Sequence, residues 1–207
     1  VSPSGGHMLI AAETEDGDSA LMILDMEEQS HEVIALTDKN IAFDWSPDGR
    51  HICYVTSDHE SYAAHGPLTV VDVGTDTNKL PLTVGRNIVA FFWSPDGKRV
   101  ALFETDNGME SLEQSETEMR HLLLHILDVE SGEIDFLFSF LPSEQFASML
   151  PYIDQYQRTY TVWSPDSEYL AIAAYTQSGP TIVVAQADKD YEPRVLHPGT
   201  LAVWSWQ

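Results

Sequence analysis

Cysteine occurs once in these 207 residues, and basic residues are scarce: ten Lys and Arg stand against 33 Asp and Glu, a formal charge of −23. With Cys53 alone no intrachain disulfide can form, so cysteine usage leaves the redox compartment open. Its run, His51-Ile52-Cys53-Tyr54-Val55, is apolar. That reads as a buried, inert thiol, since a nucleophile wants a basic and exposed setting. The shortage of cations argues against nucleic acid and anionic membrane surfaces as partners, because such a surface repels both. The same field favours cationic proteins, cationic ligands or metal ions, and it also serves solubility. No stretch approaches the ~20 apolar residues of a membrane-spanning helix. Signatures of known chemistry are missing as well: no Gly-x-Ser-x-Gly elbow, P-loop, dinucleotide fingerprint or His-Glu-x-x-His occurs.

What is present is a repeat. Trp45-Ser46-Pro47-Asp48-Gly49 returns as Trp93-Ser94-Pro95-Asp96-Gly97 and as Trp163-Ser164-Pro165-Asp166-Ser167. A weaker copy is Val1-Ser2-Pro3-Ser4-Gly5, and Trp204-Ser205-Trp206 begins another. The starts at 1, 45, 93, 163 and 204 are spaced by 44, 48, 70 and 41 residues. That period, with four short strands per unit, predicts an all-β propeller of four-stranded antiparallel blades. The units run approximately 1–44, 45–92, 93–162 and 163–207, within a single propeller region 1–207. In each, strand A ends in Trp and the turn reverses the chain. Proline presets φ, Asp bonds its own backbone and Gly takes positive φ. The repeated Asp48, Asp96 and Asp166 are therefore turn residues before they are candidate acids or calcium ligands. Strands B, C and D follow, rich in β-branched and aromatic residues. The tryptophans are expected to pack between neighbouring blades.

The Trp-Ser-Pro-Asp-Gly phrase, followed by an apolar strand and an Asp-ended strand, resembles the TolB-like, WD-type propeller repeat over essentially the whole chain apart from two insertions. The stretch Leu150-Pro151-Tyr152-Ile153-Asp154-Gln155-Tyr156 looks like one subgroup of bacterial TolB-like proteins. The repeat is also similar to that in the propellers of prolyl-oligopeptidase-type peptidases. The resemblance implies a bacterial cell-envelope or extracellular setting. Val1, Ser4 and Ser167 depart from the pattern at packing and turn positions. Four units are visible where such rings carry six or more, and Val1 falls inside a repeat. We therefore expect part of a larger ring of six to eight blades. The last segment, Leu201 to Trp206, is a spare strand A able to complete the first blade.

The extra length lies in three connections: Ser57 to Pro67, Asp106 to Arg120 and Leu141 to Arg158. In a propeller all three fall on one face, and loops of this length in a compact domain are usually functional. The region 104–118 holds six carboxylates and no base, and reads either as a cation-attracting loop or as a disordered acidic excursion. The region 143–157 starts like a helix at Pro142-Ser143-Glu144, with an apolar stripe through Phe146, Met149, Leu150, Ile153 and Tyr156 and a break at Pro151. It reads equally as a lid on its own blade or as a docking surface.

A non-enzymatic module binding a protein or peptide, basic partners included, is the leading expectation, with no metal or cofactor. Its candidate residues are His59, Glu60, His65, Asp106, Glu110, Glu113, Glu116, Glu118, Phe146, Met149, Tyr152 and Tyr156. The alternatives are the propeller of a peptidase or other enzyme whose catalytic part lies elsewhere, and an extracytoplasmic sensor module. Asp44 is the one carboxylate on the A strands, and a single acid cannot serve as both acid and base. His121 and His125 share a strand face but sit too far apart for one ion. Glu13, Asp16 and Asp18 fit no calcium loop spacing, and neither do His59, Glu60 and His65.

Overall fold

The computed structural model describes residues 1–14, 16, 18–37, 40–57, 64–73, 81–105, 121–152, 160, 162–188 and 190–205. The chain divides into two compact units, Val1–Gly85 and Arg86–Gln207. Strands dominate both, and every described pairing is antiparallel.

In the first unit β1 (His7–Glu13), β2 (Ser19–Asp25) and β3 (His31–Thr37) form a three-stranded meander. A second meander follows in β4 (Asn40–Trp45), β5 (His51–Ser57) and β6 (Gly66–Asp72), with the opening residues of β7 (Leu82–Trp93) beside β6. Leu9, Leu21 and Ile23 from the first sheet pack on Trp45 and Ile52 from the second. Strand alternation explains the choice: these residues share one face of the pleat. Cys53 is fully buried, and burial, aided by the charge of Asp44, pushes its thiol well above the usual range. The inert reading of that thiol is consistent with this environment.

The second unit starts within β7. Residues 82–93 form a single strand where the repeat predicts a strand D closing one unit and a strand A opening the next. Gly85 at φ 70° and a register shift between Ile88 and Ala90 bend it. β8 (Arg99–Thr105), β9 (Leu122–Asp128) and β10 (Ile134–Pro142) complete that blade. β11 (Tyr169–Thr176), β12 (Gly179–Gln186) and β13 (Arg194–Pro198) form the next. The core between these sheets is aromatic. Phe92, Phe103, Phe140, Phe146 and Tyr160 meet ring to ring at centroid distances of 5.5 to 6.4 Å. Burial pushes the Tyr160 phenol up to about 12.

The spare strand A is not realised as a strand. Residues 201–205 form none, Trp206 lies outside the described residues, and β1–β3 remains three-stranded. Ala202 packs on the core of its own unit.

Candidate functional site

The repeated aspartates are consumed by their own turns. Ser46, Ser94 and Ser164 are buried, and each hydroxyl donates to the Asp two residues on, at 2.5 to 2.6 Å. Each serine oxygen also accepts the N–H of the first residue of strand B: His51, Arg99 and Tyr169. Each carboxylate in turn accepts an N–H two residues further, from Arg50, Lys98 and Glu168. For Asp166 the serine hydroxyl, then the backbone N–H, holds the carboxyl below its ordinary range. For Asp48 burial works the other way, but the same two bonds outweigh it. A group spent in this way is a scaffold element.

Ser167, where the repeat has Gly, keeps the backbone of a glycine: its φ is 64°, beside 73° at Gly49 and 72° at Gly97. Its hydroxyl accepts the N–H of Asp96, from the preceding blade's turn, at 3.1 Å. Arg99 spans the same junction, donating to the carbonyls of Ala187 and Ser167 and lying 5.4 Å from the Trp163 ring centroid. The tryptophans form a ladder between successive repeats. Trp163 Nε1 donates to Phe92 O at 2.9 Å, and Trp204 Nε1 donates to Val162 O at 3.0 Å. Each acceptor is the residue just before the previous repeat's Trp. The Nε1 of Trp45, in the first unit, is buried without a hydrogen-bond partner among the described residues.

The long connection before the fourth repeat does not simply join two strands. The end of β10 already pairs with β11, Leu141 opposite Tyr175 and Pro142 opposite Ala174. Further along the same edge Trp163 bridges Leu170, and Ala171 N–H donates to Val162 O. Strand A of this blade is therefore split between residues 141–142 and 162–163. Ser143 starts the excursion as the N-cap of α1 (Glu144–Met149), its hydroxyl accepting from Phe146 N and donating to Thr200 O. Thr200 also donates to Gln145 Oε1 at 2.8 Å. The helix gives way to a 3-10 turn over Leu150–Tyr152, where Pro151 cannot continue an α-helical ladder.

This arrangement gives two candidate contacts a packing role. Phe146 is wholly buried and not free for a partner, and Met149, partly buried, packs against the same core, so both anchor the helix. Tyr152 is different: it is 52% exposed at the end of the anchored segment. His65 is likewise buried, with Nδ1 at 3.4 Å from Ser57 Oγ, which removes it from the accessible set. His59, Glu60, Asp106, Glu110, Glu113, Glu116, Glu118 and Tyr156 lie outside the described residues.

His125 has a partner that its strand neighbours did not announce. Its Nε2 lies 3.4 Å from Glu104 Oε2 across β8 and β9, and its ring packs on Phe136. Burial lowers the imidazole's pKa, with Glu104 opposing. Only the register, Arg99 opposite Asp128, would have revealed the pair. Among the described residues no group of three His, Cys, Asp or Glu is placed to hold a metal ion.

No protein-family model and no curated protein matches this sequence. Solved structures do resemble it. TolB from Acinetobacter baumannii is 16% identical with a TM-score of 0.53, over 98% of this chain and 43% of that one. The β-propeller domain of the Trilobed protease from Pyrococcus furiosus is 14% identical with a TM-score of 0.57, over 95% and 54%. Oligogalacturonate lyase from Vibrio parahaemolyticus is 13% identical with a TM-score of 0.56, over 93% and 50%. The chain spans about half the length of each. At such identities the likeness shows the fold alone: this is a β-propeller region.

Proposed function

We propose that this propeller region is a non-catalytic module that binds a protein or peptide partner, basic in character. The proposed contact regions are 57–66 in the first unit, and 106–119 and 143–157 in the second. One observation carries the reading. The helix α1 that follows Pro142 is tied down by a cap, by buried Phe146 and by Thr200, and Tyr152 stands exposed beyond that anchor. An aromatic held in place loses little entropy on contact, which is why such residues dominate binding hot spots. The acidic balance of the chain supplies attraction for a cationic partner. The turn carboxylates, engaged in their own hydrogen bonds, are poor acids or bases for catalysis.

Affinity capture tests this, comparing the native chain with Tyr152→Ala and with a variant whose residues 106–119 are replaced by a short Gly-Ser turn. A protein held by the native chain and lost from either variant, with melting unchanged, supports the reading. Identical captures from all three overturn it.

A further inference from the structure

Tyr160 is only 5% exposed, and its hydroxyl has no hydrogen-bond partner among the described residues. A hydroxyl buried in this way gives up its water and gains nothing in return. Its ring meets Phe92 and Phe146 at centroid distances of 6.4 Å. Phe146, from α1, fills an aromatic socket that Phe103 and Phe140 complete. Beyond that socket little holds the helix. Its six residues are too few to persist alone, since isolated helices shorter than about 12 residues are marginal in water. Phe146 and Leu150 are its buried anchors, with Met149 partly covered. The Thr200–Gln145 bond is exposed and the Ser143–Thr200 bond half-buried, so water competes for both. The residues just before α1 are fixed by contrast: Pro142 lies opposite Ala174 in the sheet, and Ser143 N–H donates to Ala173 O. A rigid sheet thus meets a small, separately anchored helix at Ser143.

We propose that α1 is a latch, hinged at Ser143, that opens and closes without unfolding the sheet beneath it, and that the unpartnered Tyr160 hydroxyl sets how often it opens. Seating Phe146 in the socket covers the Tyr160 ring and keeps its hydroxyl from water. Withdrawing Phe146 uncovers both, so the hydroxyl regains its hydration only in the open state and favours that state. The two anchors of the latch are few beside the core that holds the sheet, which is why the helix can leave while the strands stay paired. Closed, the latch holds Tyr152 in place; open, it releases it. As a regulator of partner contact the device rests on the binding reading above, but the equilibrium itself is a property of the chain alone and is measured without a partner.

Hydrogen exchange of the full chain, followed by NMR, reads the latch at the amides of Ala147 and Leu150, which donate to Ser143 O and Ala147 O. It reads the sheet at Leu124 and Ile126 in β9, which lies between β8 and β10. The α1 amides should exchange faster, with little dependence on sub-denaturing urea, and the β9 amides only with the steep dependence of global unfolding. Tyr160→Phe keeps the ring and removes the hydroxyl. It should slow α1 exchange about tenfold, the effect of one unsatisfied buried hydroxyl. Exchange in β9 should slow by the same factor, because global unfolding hydrates that hydroxyl too. If the α1 amides exchange only together with those of β9, there is no latch. If Tyr160→Phe leaves α1 exchange unchanged or speeds it, whatever β9 does, the hydroxyl does not set the equilibrium and the proposal is overturned. A Tyr152→Ala variant that captures every partner of the native chain would sink the binding reading and leave these exchange rates as they are, so the two fail separately.

Discussion

Replacing Trp163 by Phe tests whether the tryptophan ladder holds successive repeats together. Trp163 is wholly buried, donates to Phe92 O at 2.9 Å and carries the Arg99 guanidinium over its ring. Phe keeps the ring-to-core contact but leaves the Phe92 carbonyl without its donor, a loss of about 1 kcal/mol. The smaller ring also leaves a void. Full truncation of a buried Trp or Phe costs about 3–5 kcal/mol, so this partial loss should cost about 1–2. The total is about 2–3 kcal/mol, or roughly 4–12 °C in a domain of this size. Trp204 is the internal control, since it makes the same bond to Val162 O but is only half-buried. Trp204→Phe should cost the hydrogen bond alone, about 1 kcal/mol. Both residues belong to the second unit, so one transition reports both. Urea unfolding followed by circular dichroism gives the two differences directly. If Trp163→Phe costs no more than Trp204→Phe, burial in the junction contributes nothing and the ladder reasoning fails.

Ser167 offers a second test, because its left-handed backbone and its bond from Asp96 pull in opposite directions. Ser167→Ala keeps the strain and loses the bond, about 1 kcal/mol, whereas Ser167→Gly relieves strain and should melt above the Ala variant by about 0.5–1 kcal/mol; the reverse order in thermal melts would refute this. Phe146→Ala should cost about 3–5 kcal/mol and release α1, read as faster proteolysis at 143–152 in the variant than in the native chain. His125, whose pKa burial lowers, is more easily protonated in the unfolded chain. Its contribution is therefore whole above the unfolded value, about 6.5, and declines as pH falls below it, so His125→Gln should flatten stability between about pH 7 and 5. Asp25, Asp128 and Asp166 titrate below the ordinary carboxylate range, with backbone or serine hydrogen bonds as the leading cause. Their contribution persists above about pH 4 and is lost as pH falls through the lowered values, which an acid-unfolding curve shifted upward by Asp166→Asn would reveal.

The repeat was legible because its chemistry is local. Ser, Pro, Asp and Gly close a turn with bonds that span two to five residues, so four letters suffice to place a reversal and the strands on either side. The helix start at Ser143 was legible for the same reason, its cap reaching only to Phe146. The use of each apolar residue was less so. A stripe through Phe146 and Met149 says that a face is buried but not against what, and the blade itself turned out to cover it. Likewise His65 read as a loop histidine and is buried beside Ser57.

Sequence alone thus determined the all-β repeat, its turns, the structural duty of the aspartates and the acidic character of the chain. Tertiary structure decided everything that depends on partners far along the chain. Leu141 must meet Tyr175 before strand A is seen to be split, and Ser167 must meet Asp96, 71 residues away, before its place in a glycine's position has a reason. Two strands sum into β7 only once Gly85 and the bulge are folded, and Glu104 finds His125 only through the register of β8 on β9. Local bonds are written in neighbouring letters; packing and register are set by which surfaces exclude water together, and no short span of sequence contains both sides.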